Sequence, residues 1–190
     1  MSPQMPVPDA ESLTRPQPFL NPPQPARTRL FHQFTQGIAL AACALLSYYL
    51  ISHYLVQTVR VIGMSMVPTL HDSQLYLLNR WVLHVRAPAR SEIVVLRDPL
   101  DGGFAVKRVI GVAGDSVYLR QGEIFLNGKK LAESYLIPGT PTFPSGPVKD
   151  QLFQCKPGQF FVLGDNRANS LDSRVYGPVS KRDILGLIVR

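Results

Sequence analysis

Twenty consecutive residues at 37–56, GIALAACALLSYYLISHYLV, contain no Asp, Glu, Lys or Arg. At the rise of an α-helix a run of this length reaches about 30 Å, the hydrocarbon thickness of a bilayer. The run predicts a membrane-spanning helix; a helix buried in a protein core is the alternative. Tyr48, Tyr49 and Tyr54 lie in its second half, where interfacial rings are common. Arg27 and Arg29 precede it, and Arg60 is the only basic residue close behind it. That asymmetry places the N-terminus in the cytoplasm and the remainder across the membrane. A cleaved leader would have a shorter run and a small-x-small site, whereas Ser52, His53 and Tyr54 stand here. Leu40-Ala41-Ala42-Cys43 has the order of a lipidation box, but most of the apolar run would lie beyond the modified cysteine. Cys43 is read instead as a small apolar filler.

Three regions follow. Residues 1–29 hold eight of the 17 prolines (Pro3, Pro6, Pro8, Pro16, Pro18, Pro22, Pro23 and Pro25), so they predict an extended, disordered cytoplasmic tail. Residues 30–58 are the membrane-span region. Residues 59–190 read as a β-domain outside the cytoplasm. Short apolar runs recur there at 75–78, 93–96, 104–112, 159–163 and 184–189. Residues 117–120 and 123–126 flank Gln121-Gly122 as a hairpin, and Asn127-Gly128 is a second turn signal. Strands this short, with no helical period, predict an antiparallel sandwich or partly open barrel. Pro138, Pro141, Pro144 and Pro147 mark a surface loop.

The net charge is 20 − 13 = +7, but the basic residues are scattered and no nucleic-acid motif is present. Two cysteines are too few for a disulfide scaffold or a four-thiolate metal site, and Cys43 and Cys155 fall on opposite sides of the predicted domain boundary.

Three segments carry candidate chemistry. Ser65 sits in Gly63-Met64-Ser65-Met66-Val67-Pro68, nine residues after the apolar run. Gly63 permits close backbone approach, which suits a substrate chain lying against it; the apolar Met64 and Met66 and the turn-fixing Pro68 are the candidate substrate contacts. A serine alone is as readily a surface group or a cap. Lys107 lies in Phe104-Ala105-Val106-Lys107-Arg108-Val109-Ile110. In a strand it shares a face with Ala105 and Val109, and Arg108 shares the other with Val106 and Ile110. Apolar surroundings push a lysine toward its neutral amine, a base able to activate a hydroxyl; arginine stays protonated. A lysine snorkelling from a sheet edge is the plainer alternative. The third segment, GDNRANSLDSR at 164–174, is dense in small polar groups, and its Asp172 and Arg174 can pair in a fork. Taken alone it is equally an ordinary polar loop.

Together, GMSMVPTL at 63–70, VKRVIGVAGDSV at 106–117 and GDNRANSLDSRVYGPV at 164–179 resemble the blocks of the type I signal peptidases, membrane-anchored Ser-Lys proteases. The resemblance runs from about residue 37 to the C-terminus. It implies Ser65 as nucleophile, Lys107 as general base, a hydrogen bond from Ser170 to the lysine amine, and supporting roles for Gly164, Asp172 and Arg174. It also implies a mostly β catalytic domain on the membrane surface, no metal or organic cofactor, and preproteins with small residues at positions −1 and −3 as substrates. The membrane would be a plasma or a thylakoid one. Some family members carry a serine two positions before the nucleophile; Gly63 stands here, as in other members, so the oxyanion must rely on backbone N–H groups, including that of Ser65, or on another donor. Ser73-Gln74 and Ser91-Glu92 replace a usual Gly-Asp, and Ala168 replaces a common acid or amide.

The alternatives are a related Ser-Lys peptidase with a specialised substrate, an anchored β-domain that binds peptides without cutting them, and a Ser-His enzyme using His71 or His84.

Overall fold

The apolar runs at 93–96 and 159–163 are unbroken rather than alternating because their strands are buried on both faces, whereas the run at 75–78 exposes Leu75 and Leu77. A computed structural model describes residues 26–50 and 56–189. Its strands are β1 (Val56–Arg60), β2 (Leu75–Asn79), β3 (Ile93–Arg97), β4 (Phe104–Gly111), β5 (Ser116–Arg120), β6 (Glu123–Leu126), β7 (Lys129–Lys130), β8 (Asp150–Gln154), β9 (Gln159–Leu163), β10 (Val179–Ser180) and β11 (Ile184–Val189). The helices are α1 (Ala26–Leu50), α2 (Val82–Val85) and α3 (Ser173–Tyr176), with 3-10 turns at Arg167–Asn169 and Lys181–Asp183. The chain is mostly β.

Two sheets form, a seven-stranded one in the order β1-β2-β11-β3-β4-β9-β10 and a four-stranded one in the order β7-β6-β5-β8. Every pairing is antiparallel. On β3, Val94 and Leu96 enter one core with Val109 and Val162. Ile93 and Val95 enter another with Leu78 and Ile188. Ile110, Phe161 and Leu163 of the large sheet pack with Val117, Leu119 and Ile124 of the small one. Register shifts in β4 before Gly111 and in β11 before Gly186 bend the large sheet.

Both predicted turns form in the left-handed region that a two-residue hairpin needs, with φ of 51° and 81° at Gln121-Gly122 and 52° and 78° at Asn127-Gly128. Two strands of five residues went unread in the sequence. β8 escapes because its alternating Asp-Gln-Leu-Phe-Gln looks polar. β1 escapes because it continues the apolar run; it starts at Val56, ahead of the expected boundary at 59.

Residues 1–45 and 46–190 form two units. Helix α1 begins ahead of the uncharged run and takes in Arg27 and Arg29. The predicted tail over 1–25 and residues 51–55 of the predicted span lie outside the described residues. Among the described residues no helix is long and apolar enough to cross a membrane.

Candidate active site

Two consecutive cations on β4 must point to opposite faces, and both faces are apolar. Lys107 pairs with Val94 across β3, and Arg108 with Ile93. Each is only 5% exposed. Their partners differ completely. Arg108 donates from Nε and Nη2 to the two carboxylate oxygens of Asp165 at 2.9 and 2.6 Å. It also donates to the Ser91 carbonyl at 2.8 Å and to Thr69 Oγ1 at 3.2 Å. Its guanidinium carbon lies 4.0 Å from the centre of the Tyr135 ring. Arg108 is therefore a saturated strut between three segments.

Lys107 has one hydrogen-bond partner among the described residues: its Nζ lies 3.3 Å from Ser65 Oγ. Burial pushes the amine below the usual lysine range. The carboxylates of Asp172 and Asp98 pull it up and Arg174 pulls it down, and the balance remains lowered. Of the predicted site residues, these two are brought together.

Ser65 is half-buried in a tight turn in which the Leu70 N–H donates to the Met66 carbonyl at 2.9 Å. Gly63 enters this turn at φ +105°, a conformation side chains resist. Its N–H donates to Asp72 Oδ1 at 2.7 Å, a bond that holds the Asp72 carboxyl below its ordinary range. Gly63 thus has no free donor, whereas the Ser65 N–H has no acceptor among the described residues.

The 164–174 segment follows β9 and closes over this turn. Asp172 takes a bidentate fork from Arg174, Nε to Oδ1 at 2.8 Å and Nη2 to Oδ2 at 2.9 Å, as expected. Asp172 Oδ2 also accepts the Gly164 N–H at 3.1 Å. Arg174 Nη2 reaches on to the carbonyls of Arg167 and Ser170. A Cβ on Gly164 would stand 2.6 Å from the Ser65 carbonyl oxygen and would strike the Ser170 side chain. Only glycine lets the two backbones meet there.

Two expectations are corrected. Met66 does not face a substrate. It is 1% exposed and packs with Leu70, Leu78 and Val95, because the turn closed by the Leu70 N–H on the Met66 carbonyl curls residue 66 into the core while Met64, ahead of that turn, stays outside. Met64 is 59% exposed, and Pro68 is exposed as well. Ser170 does not hydrogen-bond the lysine: its buried Oγ has no partner among the described residues and rests against Gly164.

Several residues escaped notice in the sequence because their partners are remote. Arg167 pairs with Glu133 at 2.5 Å and bonds Thr142, tying the proline-rich loop to the site. Asn166 bonds the turn of Ser65 twice. His71 and His84 are exposed, and neither bonds Ser65 among the described residues. No group of three His, Cys, Asp or Glu among the described residues could hold a metal ion.

Residues 34–190 match the family model described as signal peptidase, peptidase S26. A signal peptidase I of Bacillus amyloliquefaciens is 35% identical over 159 residues, covering 78% of this chain and 77% of the relative. Signal peptidase I T of Bacillus subtilis (strain 168) is 34% identical over 157 residues, with coverage of 78% and 77%. The crystal structure of a signal peptidase I from Enterococcus faecalis V583 is 28% identical, covers 55% of this chain and 98% of that one, and superposes with a TM-score of 0.46. The chain belongs to the peptidase S26 family of signal peptidases, serine endopeptidases that cleave signal peptides from preproteins.

Proposed function

We propose that Ser65 is the nucleophile of this peptidase and Lys107 its general base. The observation that carries the assignment is the 3.3 Å approach of Lys107 Nζ to Ser65 Oγ in surroundings that favour the neutral amine. The lone pair on Nζ takes the hydroxyl proton as Oγ bonds to the carbonyl carbon of residue −1. The resulting ammonium passes that proton to the departing amine as the C–N bond breaks. The free amine then deprotonates a water, which attacks the ester and releases Ser65. The Ser65 N–H, free of other acceptors among the described residues, serves the oxyanion, a donor worth about 10²–10³ in rate. Asp172, Arg174 and Gly164 hold the turn that presents Ser65.

We also read the chain as anchored by residues 30–58, with the tail before it in the cytoplasm and the catalytic domain from 59 onward outside. In support, the uncharged run at 37–56 matches the hydrocarbon thickness of a bilayer in length and is helical as far as Leu50. Such an anchor would hold the enzyme in the bilayer that holds the signal peptide, a gain in proximity. The partners are then signal-peptide-bearing preproteins with small residues at −1 and −3, and a plasma or thylakoid membrane.

The test is cleavage of a purified preprotein by the Ser65→Ala and Lys107→Ala variants, with the new N-terminus mapped. Both should lose turnover by at least about 10²-fold, the lower bound for a positioned base. Wild-type turnover by either overturns the assignment.

A further inference from the structure

One residue of the 164–174 segment holds both peptide units that flank Ser65. The Asn166 backbone N–H donates to the Ser65 carbonyl at 2.9 Å. The Asn166 side-chain Nδ2 donates to the Met64 carbonyl at 3.1 Å. Asn169 Nδ2 approaches Asn166 Oδ1 at 3.4 Å, so the amide is turned with its donor toward Met64. The side-chain bond bridges positions 102 residues apart in sequence.

The peptide unit that carries the Met64 carbonyl also carries the Ser65 N–H. In a planar trans peptide the two point in opposite directions, so fixing the oxygen fixes the line of the N–H. We infer that Asn166 is a positioning residue for the oxyanion donor: its side-chain amide anchors the Met64 carbonyl so that the Ser65 N–H is aimed at the substrate carbonyl before it reacts. Nothing else described bonds the Met64 carbonyl except the Val67 N–H at 3.2 Å, which belongs to the same turn and moves with it. Gly63 cannot replace the donor, since its N–H is taken by Asp72. A preoriented dipole costs no reorganisation when charge develops, which is why a single hydrogen bond behind the donor affects the transition state more than the bound substrate.

The inference rests on Ser65 being the nucleophile, and the experiment separates the two. Full-length protein is assayed for kcat and KM on a synthetic signal peptide, and for inhibition by a peptide aldehyde ending in alanine, whose adduct with a serine is tetrahedral. The variants are Asn166→Ala, Asn166→Asp and Ser65→Ala. Asn166→Asp keeps the backbone N–H and nearly the same shape, but its carboxylate only accepts hydrogen bonds. Both Asn166 variants are expected to lose about 10- to 100-fold in kcat, with KM within about threefold and aldehyde affinity falling with kcat/KM. Asn166→Asp is expected to be no better than Asn166→Ala. A role in packing alone predicts the reverse order, a lowered melting temperature and unchanged rates per folded molecule, and that result overturns the inference. So does a kcat within about threefold of wild type in both variants while Ser65→Ala is inactive. Turnover by Ser65→Ala overturns the nucleophile assignment, and the inference with it.

Discussion

Lys107 and Arg108 are neighbours on one strand, equally buried, and should respond oppositely to the same substitution by methionine. Arg108→Met removes both described side-chain hydrogen bonds to the carboxylate of Asp165, whose side chain is fully buried. Stripping one member from a buried ion pair costs about 3–5 kcal/mol, because the other charge stays behind unpaired. In a domain of roughly 150 residues each kcal/mol moves the melting temperature about 2–4 °C, so the fall should be about 6–20 °C. Lys107→Met instead replaces an amine that burial disfavours in its charged form with an apolar chain of similar length. Cleavage should drop by about 10²–10⁴ for want of a base. Stability should rise, by about 1 kcal/mol on the scale of other active-site replacements. The pH dependence follows from the sign of the shift. A folded amine below its unfolded value is a stability cost at low and neutral pH, and that cost disappears as pH rises past the ordinary lysine value of about 10.4. The advantage of Lys107→Met should therefore shrink toward alkaline pH. Thermal unfolding of both variants from pH 6 to 10.5, followed by circular dichroism, reads all of this. If Lys107→Met melted as far below wild type as Arg108→Met, the lysine would be a paired structural cation and the reasoning would be wrong.

Three further outcomes are expected. Ser73 and Ser91 hold φ of 64° and 69°, so Ser73→Gly and Ser91→Gly should each stabilise by about 0.5–1 kcal/mol, seen as a raised denaturant midpoint with an unchanged slope. Burial alone would raise the Asp115 carboxyl, but Arg90, the Val112 N–H and Asn127 hold it at about 2. Its contribution is present above the ordinary value and lost as pH falls toward 2, so Asp115→Asn should cost about 2 kcal/mol at pH 7 and much less at pH 2. Gly164→Ala should cut kcat by at least about tenfold, since its methyl group displaces the Ser65 carbonyl; unaltered turnover would show that the two backbones can part without harm.

Features that depend on local chemistry were legible in the sequence. The hairpin turns follow from Gln-Gly and Asn-Gly, and the buried strands from runs such as Ile-Val-Val-Leu. The Asp172–Arg174 fork follows from spacing within one turn. The apolar face behind Lys107 follows from alternation along β4. Features that depend on distant chain were not. Arg108 finds Asp165 57 residues away, and Asn166 reaches back 102 residues to Met64. Alternation says that Lys107 and Arg108 face opposite ways, but not which face meets a carboxylate. Met66 looked like a substrate contact because an apolar side chain beside a nucleophile can turn either outward or into the core, and only the curl of the turn decides. Ser170 shows the limit of resemblance, since a matching position does not fix a side-chain torsion.

The proposed mechanism needs Lys107 to be an amine kept neutral beside Ser65. Its most direct measurement is an NMR titration of the full-length protein with 15N-labelled lysine side chains, the Lys107 signal being identified by its loss in Lys107→Met. Lys107 Nζ is expected to lose its proton well below the ordinary lysine range, with a midpoint that coincides with the acidic limb of kcat/KM. Titration of Lys107 at the ordinary lysine value of about 10.4 would overturn the assignment.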